Sequence, residues 1–450
     1  MTFCPSGWFA LHESKLWKEN NVGSEFIVFL VMVGVFMLGC FLFKLPVSVS
    51  MLLAAVMGAL SGMALGLVTD GFPLRHLVEG SVSYIDTILV IACAMIFMKV
   101  LEFSGALNAL SVTIVRRFHQ RPVILLILLM GIIMFPGMIT GSSTAAILSA
   151  GSIVAPILLL MGISKLNTAS IIAMGGMMGM VAPPINLPAM IIGGGIDTPY
   201  VGFEVPLLIL SIPIAIFSVL FLGHKEVKNL DYARIEPHLD MEIAKQYGIR
   251  LYLPIFVLVV LMVFTKVAPG ILDLGIPLIF LISAAVGIPT GRKINILQLL
   301  RAAVKAALPV MGILMGVGML IQIMTLTGVR GLIVVSCLSL PENLLYVAMG
   351  LSLPLFGSIS AYGASSVLGV PFALAMLNQN TIVTISSISS IASLGDMMPP
   401  TALAGMFAAQ VTGVKKYSRV LKRCIVPMAV LLVYSIVVII FSKQIASLVL

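Results

Sequence analysis

The sequence predicts an all-α polytopic membrane protein made of two inverted repeats, each holding three scaffold-type spans, a re-entrant helical hairpin, a broken helix and a final span. Three observations predict it. Of 450 residues, 60% are hydrophobic and only 10% charged, against roughly 25% charged in soluble globular proteins, which excludes a soluble enzyme. The apolar runs continue for about 18 or more positions without the alternation of membrane strands, so the spans are helices. Glycine- and proline-rich breaks then interrupt those runs in the same order twice along the chain.

Residues 1–24, with Trp8 and Trp17 among polar neighbours, read as a segment lying at the membrane interface. The first repeat, 25–223, opens with spans at about 25–43, 46–68 and 84–103. Its hairpin, 122–161, begins with about 13 apolar residues from Val123 to Phe135. They reach about 20 Å, short of a hydrocarbon core of about 30 Å, so the chain is expected to turn back at Pro136-Gly137-Met138-Ile139-Thr140-Gly141-Ser142-Ser143-Thr144. A broken helix, 167–195, carries Ala182-Pro183-Pro184-Ile185-Asn186, where two prolines remove backbone donors and force an unwound loop. A last span covers about 206–223.

Residues 224–250 are the one polar stretch of any length, with Lys225, Lys228, Arg234, Lys245 and Arg250 beside Glu226, Asp231, Glu236, Asp240 and Glu242. They read as a solvated linker. The second repeat, 251–450, follows with spans at about 251–269, 274–290 and 305–327. Next come a hairpin at 341–375 with its tip within Phe356–Ser366, a broken helix at 379–411 carrying Asp396-Met397-Met398-Pro399-Pro400-Thr401, and a final helix at about 424–441. In this register Phe103-Ser104-Gly105 pairs with Leu326-Thr327-Gly328, Gly141 with Gly363, and Pro183-Pro184 with Pro399-Pro400. An odd number of crossings per repeat inverts the second relative to the first.

Charge placement gives the orientation. On this trace all of the 26 Lys and Arg fall on one side except Lys15, Lys18, Arg75, Lys266, Arg330 and Lys443. The rich side is expected to be cytoplasmic, with both termini extracytoplasmic. The formal net charge of +9 then describes orientation rather than affinity for nucleic acid. The five cysteines are scattered without C-x-x-C spacing, and the five histidines lie outside the spans, so neither a metalloenzyme nor a resident cofactor is expected. The absence of a Gly-Lys-Ser/Thr phosphate loop removes ATP as the direct energy source.

Hairpin tips and unwound proline loops free backbone groups at membrane depth. Half-helix C-termini then offer carbonyls to a cation, and N-termini offer N–H groups to an anion. The candidate ion- and substrate-binding residues are therefore Gly141, Ser142, Ser143, Thr144, Pro183, Pro184 and Asn186 in the first repeat. In the second they are Gly363, Ser365, Ser366, Asp396, Pro399, Pro400 and Thr401. Hydroxyl and amide oxygens suit a hard cation, and Na⁺ is expected near Ser143, Asn186, Ser365 and Thr401. Asp396 is the most singular charge, because a carboxylate inside an apolar stretch is costly and by default functional. Each feature also has a plain structural role: small-residue clusters let helices pack closely, proline pairs kink them, and an acid can cap a helix.

The stretch Thr140-Gly141-Ser142-Ser143-Thr144-Ala145-Ala146, with Gly151-Ser152-Ile153, Pro156 and the later Gly179-Met180-Val181-Ala182-Pro183-Pro184-Ile185, resembles the large permease subunit of tripartite ATP-independent periplasmic (TRAP) transporters, within the ion transporter superfamily. In place of the acidic residue that follows the hairpin serines in that family stand Ala145 and Ala146. The resemblance implies a Na⁺-coupled elevator importing a small organic anion such as a C4-dicarboxylate. It also implies two protein partners, a small four-helix membrane subunit and an extracytoplasmic substrate-binding protein. The alternative is a stand-alone symporter or antiporter of the same superfamily, proton- or cation-coupled, with no binding protein.

Overall fold

The structure is a computed structural model that describes residues 6–69, 71–227, 241–267, 274–399 and 401–449. Pro400, residues 1–5 and linker residues 228–240, including Lys228 and Arg234, lie outside the described residues, as do the side chains of Trp8 and Trp17. Among the described residues the fold is entirely helical, and nine helices are long and apolar enough to cross a membrane.

The chain opens with α1 (Ser6–Phe41), which runs without a break across the boundary expected near residue 24, and continues into α2 (Val47–Ala64). The short α3 (Leu74–Val82) leads to α4 (Ile85–Ser104). Gly105, with φ of 85°, then turns the chain into α5 (Ala106–Phe118), in a left-handed conformation that a side chain would strain. The second half repeats this order with α12 (Leu253–Val267), α13 (Gly275–Gly287), the 31-residue α14 (Ile296–Leu326) and α15 (Val329–Leu338), and Gly328 at φ of 79° makes the matching turn. Between the halves lies α11 (Met241–Tyr247). Helices α2, α3 and α4 pack on α14, α13 packs on α4, and one apolar core joins them.

A second body holds the hairpins and broken helices. In the first half these are α6 (Pro122–Thr140), α7 (Ser143–Leu160), α8 (Lys165–Val181), α9 (Leu187–Gly195) and the final α10 (Glu204–Gly223). Their counterparts are α16 (Glu342–Gly357), α17 (Ala361–Ala375), α18 (Thr381–Ser393), α19 (Leu403–Thr412) and α20 (Tyr417–Ile440), with α21 (Ser442–Val449) closing the described chain. The half-helices α8 and α18 lie at the centre. Every residue from Asn167 to Val181 and from Val383 to Ser393 is buried, as expected of helices surrounded by others rather than by lipid.

Two expectations about the hairpins change. The first arm does not stop after 13 residues: α6 continues through Pro136 to Thr140, 19 residues or about 28 Å, so its length alone does not oblige the chain to turn back. The turn around Pro136 is closed by the Thr140 hydroxyl, which donates to the Pro136 carbonyl at 2.7 Å. The pairing of Gly141 with Gly363 also yields. Gly141 stands in the turn at φ of 64°, whereas Gly363 lies within α17. The equivalent residues are Ser142 and Ser360, each capping its second arm by accepting a hydrogen bond from the backbone N–H three residues on, at 3.3 and 3.2 Å. From these caps the arms agree closely, since each carries a π turn, Ile147–Gly151 and Ser365–Gly369.

Lipid tails are as apolar as leucine, so close packing holds these helices together. Gly137 of α6 and Gly179 of α8 meet backbone to backbone, and a methyl group added at Gly137 would lie 2.8 Å from the Gly179 carbonyl carbon. Gly357 of α16 and Gly395 after α18 repeat the contact in the second half. In both halves the first hairpin arm thus rests directly on the end of the broken helix.

Candidate functional site

The two hairpin tips converge on one place. The Tyr362 hydroxyl, from the second tip, donates to the Gly141 carbonyl of the first at 3.1 Å. The Ser143 hydroxyl donates to Asp396 Oδ2 at 2.5 Å, joining the first tip to the end of the second broken helix. Thr401 completes the circuit, its hydroxyl donating to the Ser358 carbonyl at 2.5 Å. In the first half the backbone makes the corresponding link, from Ile185 N–H to the Met138 carbonyl at 3.1 Å.

Asp396 lies in a 3₁₀ turn, Leu394–Met397, that follows α18 directly, and it is 6% exposed. Ser143 is the first helical residue of α7, so the carboxyl group faces the N-terminal end of an 18-residue apolar helix. Unpaired N–H groups and the dipole there favour negative charge. Among the described residues no basic side chain lies within ion-pair distance of Asp396. An ionised carboxylate at such a place must be matched by a proton or by a cation.

Beside this carboxyl group opens a cavity of about 650 Å³. One wall is made by the tips, with Ser142, Ser143, Thr144, Ser360, Tyr362 and Asp396. Helices α4 and α14 also line it, with Met95, Met98, Val310 and Ile313 among their apolar members. On α4, Lys99 and Glu102 also reach the cavity and pair with each other at 2.5 Å, their side chains 22% and 25% exposed.

Of the residues expected to bind ion or substrate, the structure brings Ser142, Ser143, Thr144 and Asp396 together on this cavity, with Gly141 just behind them. The others lie elsewhere. Asn186 is wholly buried: its side-chain oxygen caps α9 by accepting from Ala189 N–H at 2.9 Å, and its amide donates to the Val181 carbonyl at 2.8 Å and to Ser389 Oγ at 3.0 Å. The Ser365 and Ser366 hydroxyls donate to backbone carbonyls of their own hairpin arm, at Ala361 and Gly363. Gly363 packs towards Met51 and Phe36. Pro183 and Pro184, joined by a cis bond, form the unwound loop between α8 and α9, and Pro399 is exposed at the start of the second loop. Of the four residues expected near Na⁺, Ser143 lines the cavity, and Asn186, Ser365 and Thr401 are not among its lining residues.

Among the cavity residues that sequence did not single out are Lys99, Glu102 and Tyr362. Lys99 and Glu102 fall near the end of the span expected at about 84–103. Their spacing of three on α4 was the available signal, because it puts both on one helix face. Tyr362 stood in the expected tip, but its reach to the other tip is a long-range contact that no local pattern reveals.

A family model described as "Na+/H+ antiporter family" matches residues 20–224. The chain is similar in structure to the YdaH transporter of Alcanivorax borkumensis, with a TM-score of 0.56 and 14% identity over 83% of this chain and 89% of that one. It is also similar to MtrF of Neisseria gonorrhoeae, described as illuminating a class of antimetabolite efflux pumps, with a TM-score of 0.60 and 14% identity over 88% of this chain and 94% of that one. At that identity the likeness concerns the fold. No curated protein matches the sequence.

These comparisons correct the sequence reading. The family model and both structural neighbours belong to other transporters, so Na⁺-coupled dicarboxylate import through a TRAP system falls, and with it the four-helix subunit and the substrate-binding protein. The misleading signal has a physical origin. A Gly-Ser-Ser tip and a Pro-Pro loop answer the general need to turn a chain or unwind a helix at membrane depth, and different transporters meet that need with the same few residues. What stands is a multi-pass membrane protein whose matches are transporters.

Proposed function

We propose that this protein is a stand-alone secondary antiporter, in which a proton and a cation alternate at the Asp396 carboxyl group. The observation that carries the reading is the Ser143–Asp396 hydrogen bond: a buried carboxyl group without a basic partner among the described residues, on the wall of a cavity lined by both hairpin tips. A carboxylate with no fixed counter-charge must take a mobile one. Binding of a cation then displaces the proton, and release of the cation requires the proton's return. That mutual exclusion couples the two flows. Ser143 orients the carboxyl group, and the N-terminal end of α7 supports its charge while it is exchanged. Ser142 and Thr144 add oxygens beside it suited to a hard cation such as Na⁺. The match of residues 20–224 to an Na⁺/H⁺ antiporter family supports this choice of ions.

We place the protein in a bacterial inner membrane with the linker and the basic α20 end cytoplasmic and the termini outside. The bias of Lys and Arg supports this, including Arg116, Arg117, Lys415, Lys416, Lys422 and Arg423. In proteoliposomes with an entrapped pH dye, an inward Na⁺ gradient should raise the internal pH, and Asp396→Asn should abolish the response. A response that persisted in Asp396→Asn, or a wild-type protein that answered no alkali cation, would overturn the proposal.

A further inference from the structure

The cavity is far larger than an inorganic ion requires. Its volume of about 650 Å³ compares with about 30 Å³ for one water molecule and lies within the range of small-molecule sites. Its charges are also unevenly matched. Lys99 and Glu102 neutralise one another at 2.5 Å, which leaves Asp396 as the one carboxyl group without an ionic partner among the described residues lining the cavity. Apolar side chains line the same space, Met98, Val310 and Ile313 among them.

We propose that the cargo of this cavity is an organic monocation, an ammonium group on an apolar body, which competes with the proton for Asp396. This rests on the antiport reading above and adds the class of solute. The ammonium group satisfies the carboxyl group and the hydroxyls of the hairpin tips, while the body lies against α4 and α14. An organic anion finds no open cation, because the Lys99 ammonium is already held by Glu102. The Lys99–Glu102 pair thus acts as a selectivity element: it keeps that end of the cavity neutral, so that Asp396 alone sets the sign of the cargo.

Calorimetric titration of the purified full-length protein in detergent tests this with phenethylamine, the permanently charged benzyltrimethylammonium, and 3-phenylpropionate. The two cations should bind, and 3-phenylpropionate should not. Asp396→Asn should weaken cation binding at least about tenfold. Glu102→Gln releases Lys99 and should admit 3-phenylpropionate, a gain that misfolding cannot imitate. Wild-type binding of 3-phenylpropionate as tight as that of phenethylamine would overturn the proposal, as would cation binding unaffected by Asp396→Asn. If neither cation bound while Na⁺ still drove proton movement in proteoliposomes, the organic cargo would be refuted and the antiport reading kept. If Na⁺ drove none and phenethylamine still bound through Asp396, the antiport reading would fall and the cation site would remain.

Discussion

The Ser143 hydroxyl lies 2.5 Å from the Asp396 carboxylate, and 253 positions of chain separate them. One residue opens the second arm of the first hairpin, and the other closes the half-helix of the second repeat. Any movement that parts the hairpin from the broken helix breaks this bond, so the charge at Asp396 and the positions of the tips are linked.

Removing the hydroxyl and removing the charge should therefore have different consequences. Ser143→Ala leaves the carboxyl group in place and loses a hydrogen bond to a charged group, about 1.5–3 kcal/mol. It should slow Na⁺/H⁺ exchange by about ten- to a hundredfold without abolishing it. Asp396→Asn should abolish exchange, measured by the same dye assay. Equal residual rates in the two variants would show that the carboxyl group carries no exchanged charge.

Tyr362→Phe keeps the ring and removes only the bond to the Gly141 carbonyl. The expected loss is about 1 kcal/mol of contact between the tips. Cysteines placed at the two tips should cross-link more slowly in this variant than in an otherwise wild-type background. An unchanged cross-linking rate would mean that the hydroxyl does not hold the tips together.

Asn186→Ala tests structure against ligation. It removes a helix cap and two buried donor contacts, a change worth about 1–3 kcal/mol from the cap and the stranded groups. The thermal midpoint in detergent should fall, and Na⁺ should stabilise variant and wild type by the same increment. A lost Na⁺ increment would instead make Asn186 an ion ligand.

Gly137→Ala places a methyl group 2.8 Å from the Gly179 backbone, where neither partner is a flexible side-chain end. Overpacking of this kind costs about 1–3 kcal/mol. A clear drop in the thermal midpoint is expected, with Gly131→Ala, where the added methyl meets nothing within 4 Å, as the comparison that should change little.

Outside the membrane, Glu226 accepts a hydrogen bond from the Ser164 N–H at 2.8 Å. Partial burial pushes its carboxyl group up, but hydrogen bonds from Ser164 and Asn167 and the nearby Arg423 outweigh this and hold it below the usual 4.5. A depressed value means a contribution fully present above about pH 4.5 that fades as pH falls through the folded-state value. Glu226→Gln should lower the thermal midpoint slightly at pH 7, and the difference from wild type should vanish in acid. A difference independent of pH would assign the contact to packing rather than charge.

Composition and the periodic placement of Gly, Pro and Ser were enough to determine a helical membrane protein of two similar halves, because burying backbone in lipid leaves few solutions and breaking a helix there needs those residues. Ser142, Ser143, Thr144 and Asp396 were also legible, since hydroxyls at a helix break and a carboxylate in an apolar run are conspicuous. Tertiary structure alone decided the rest. It turned Asn186 into a cap and the Ser365 hydroxyl into a donor to the Ala361 carbonyl, and it placed Lys99 and Glu102, near a span end in the sequence, on the cavity wall. The reason is that a hydroxyl or a charge has the same sequence signature whether it satisfies its own helix or faces an open space. Only the packing of α4 and α14 against two distant hairpin tips creates that space.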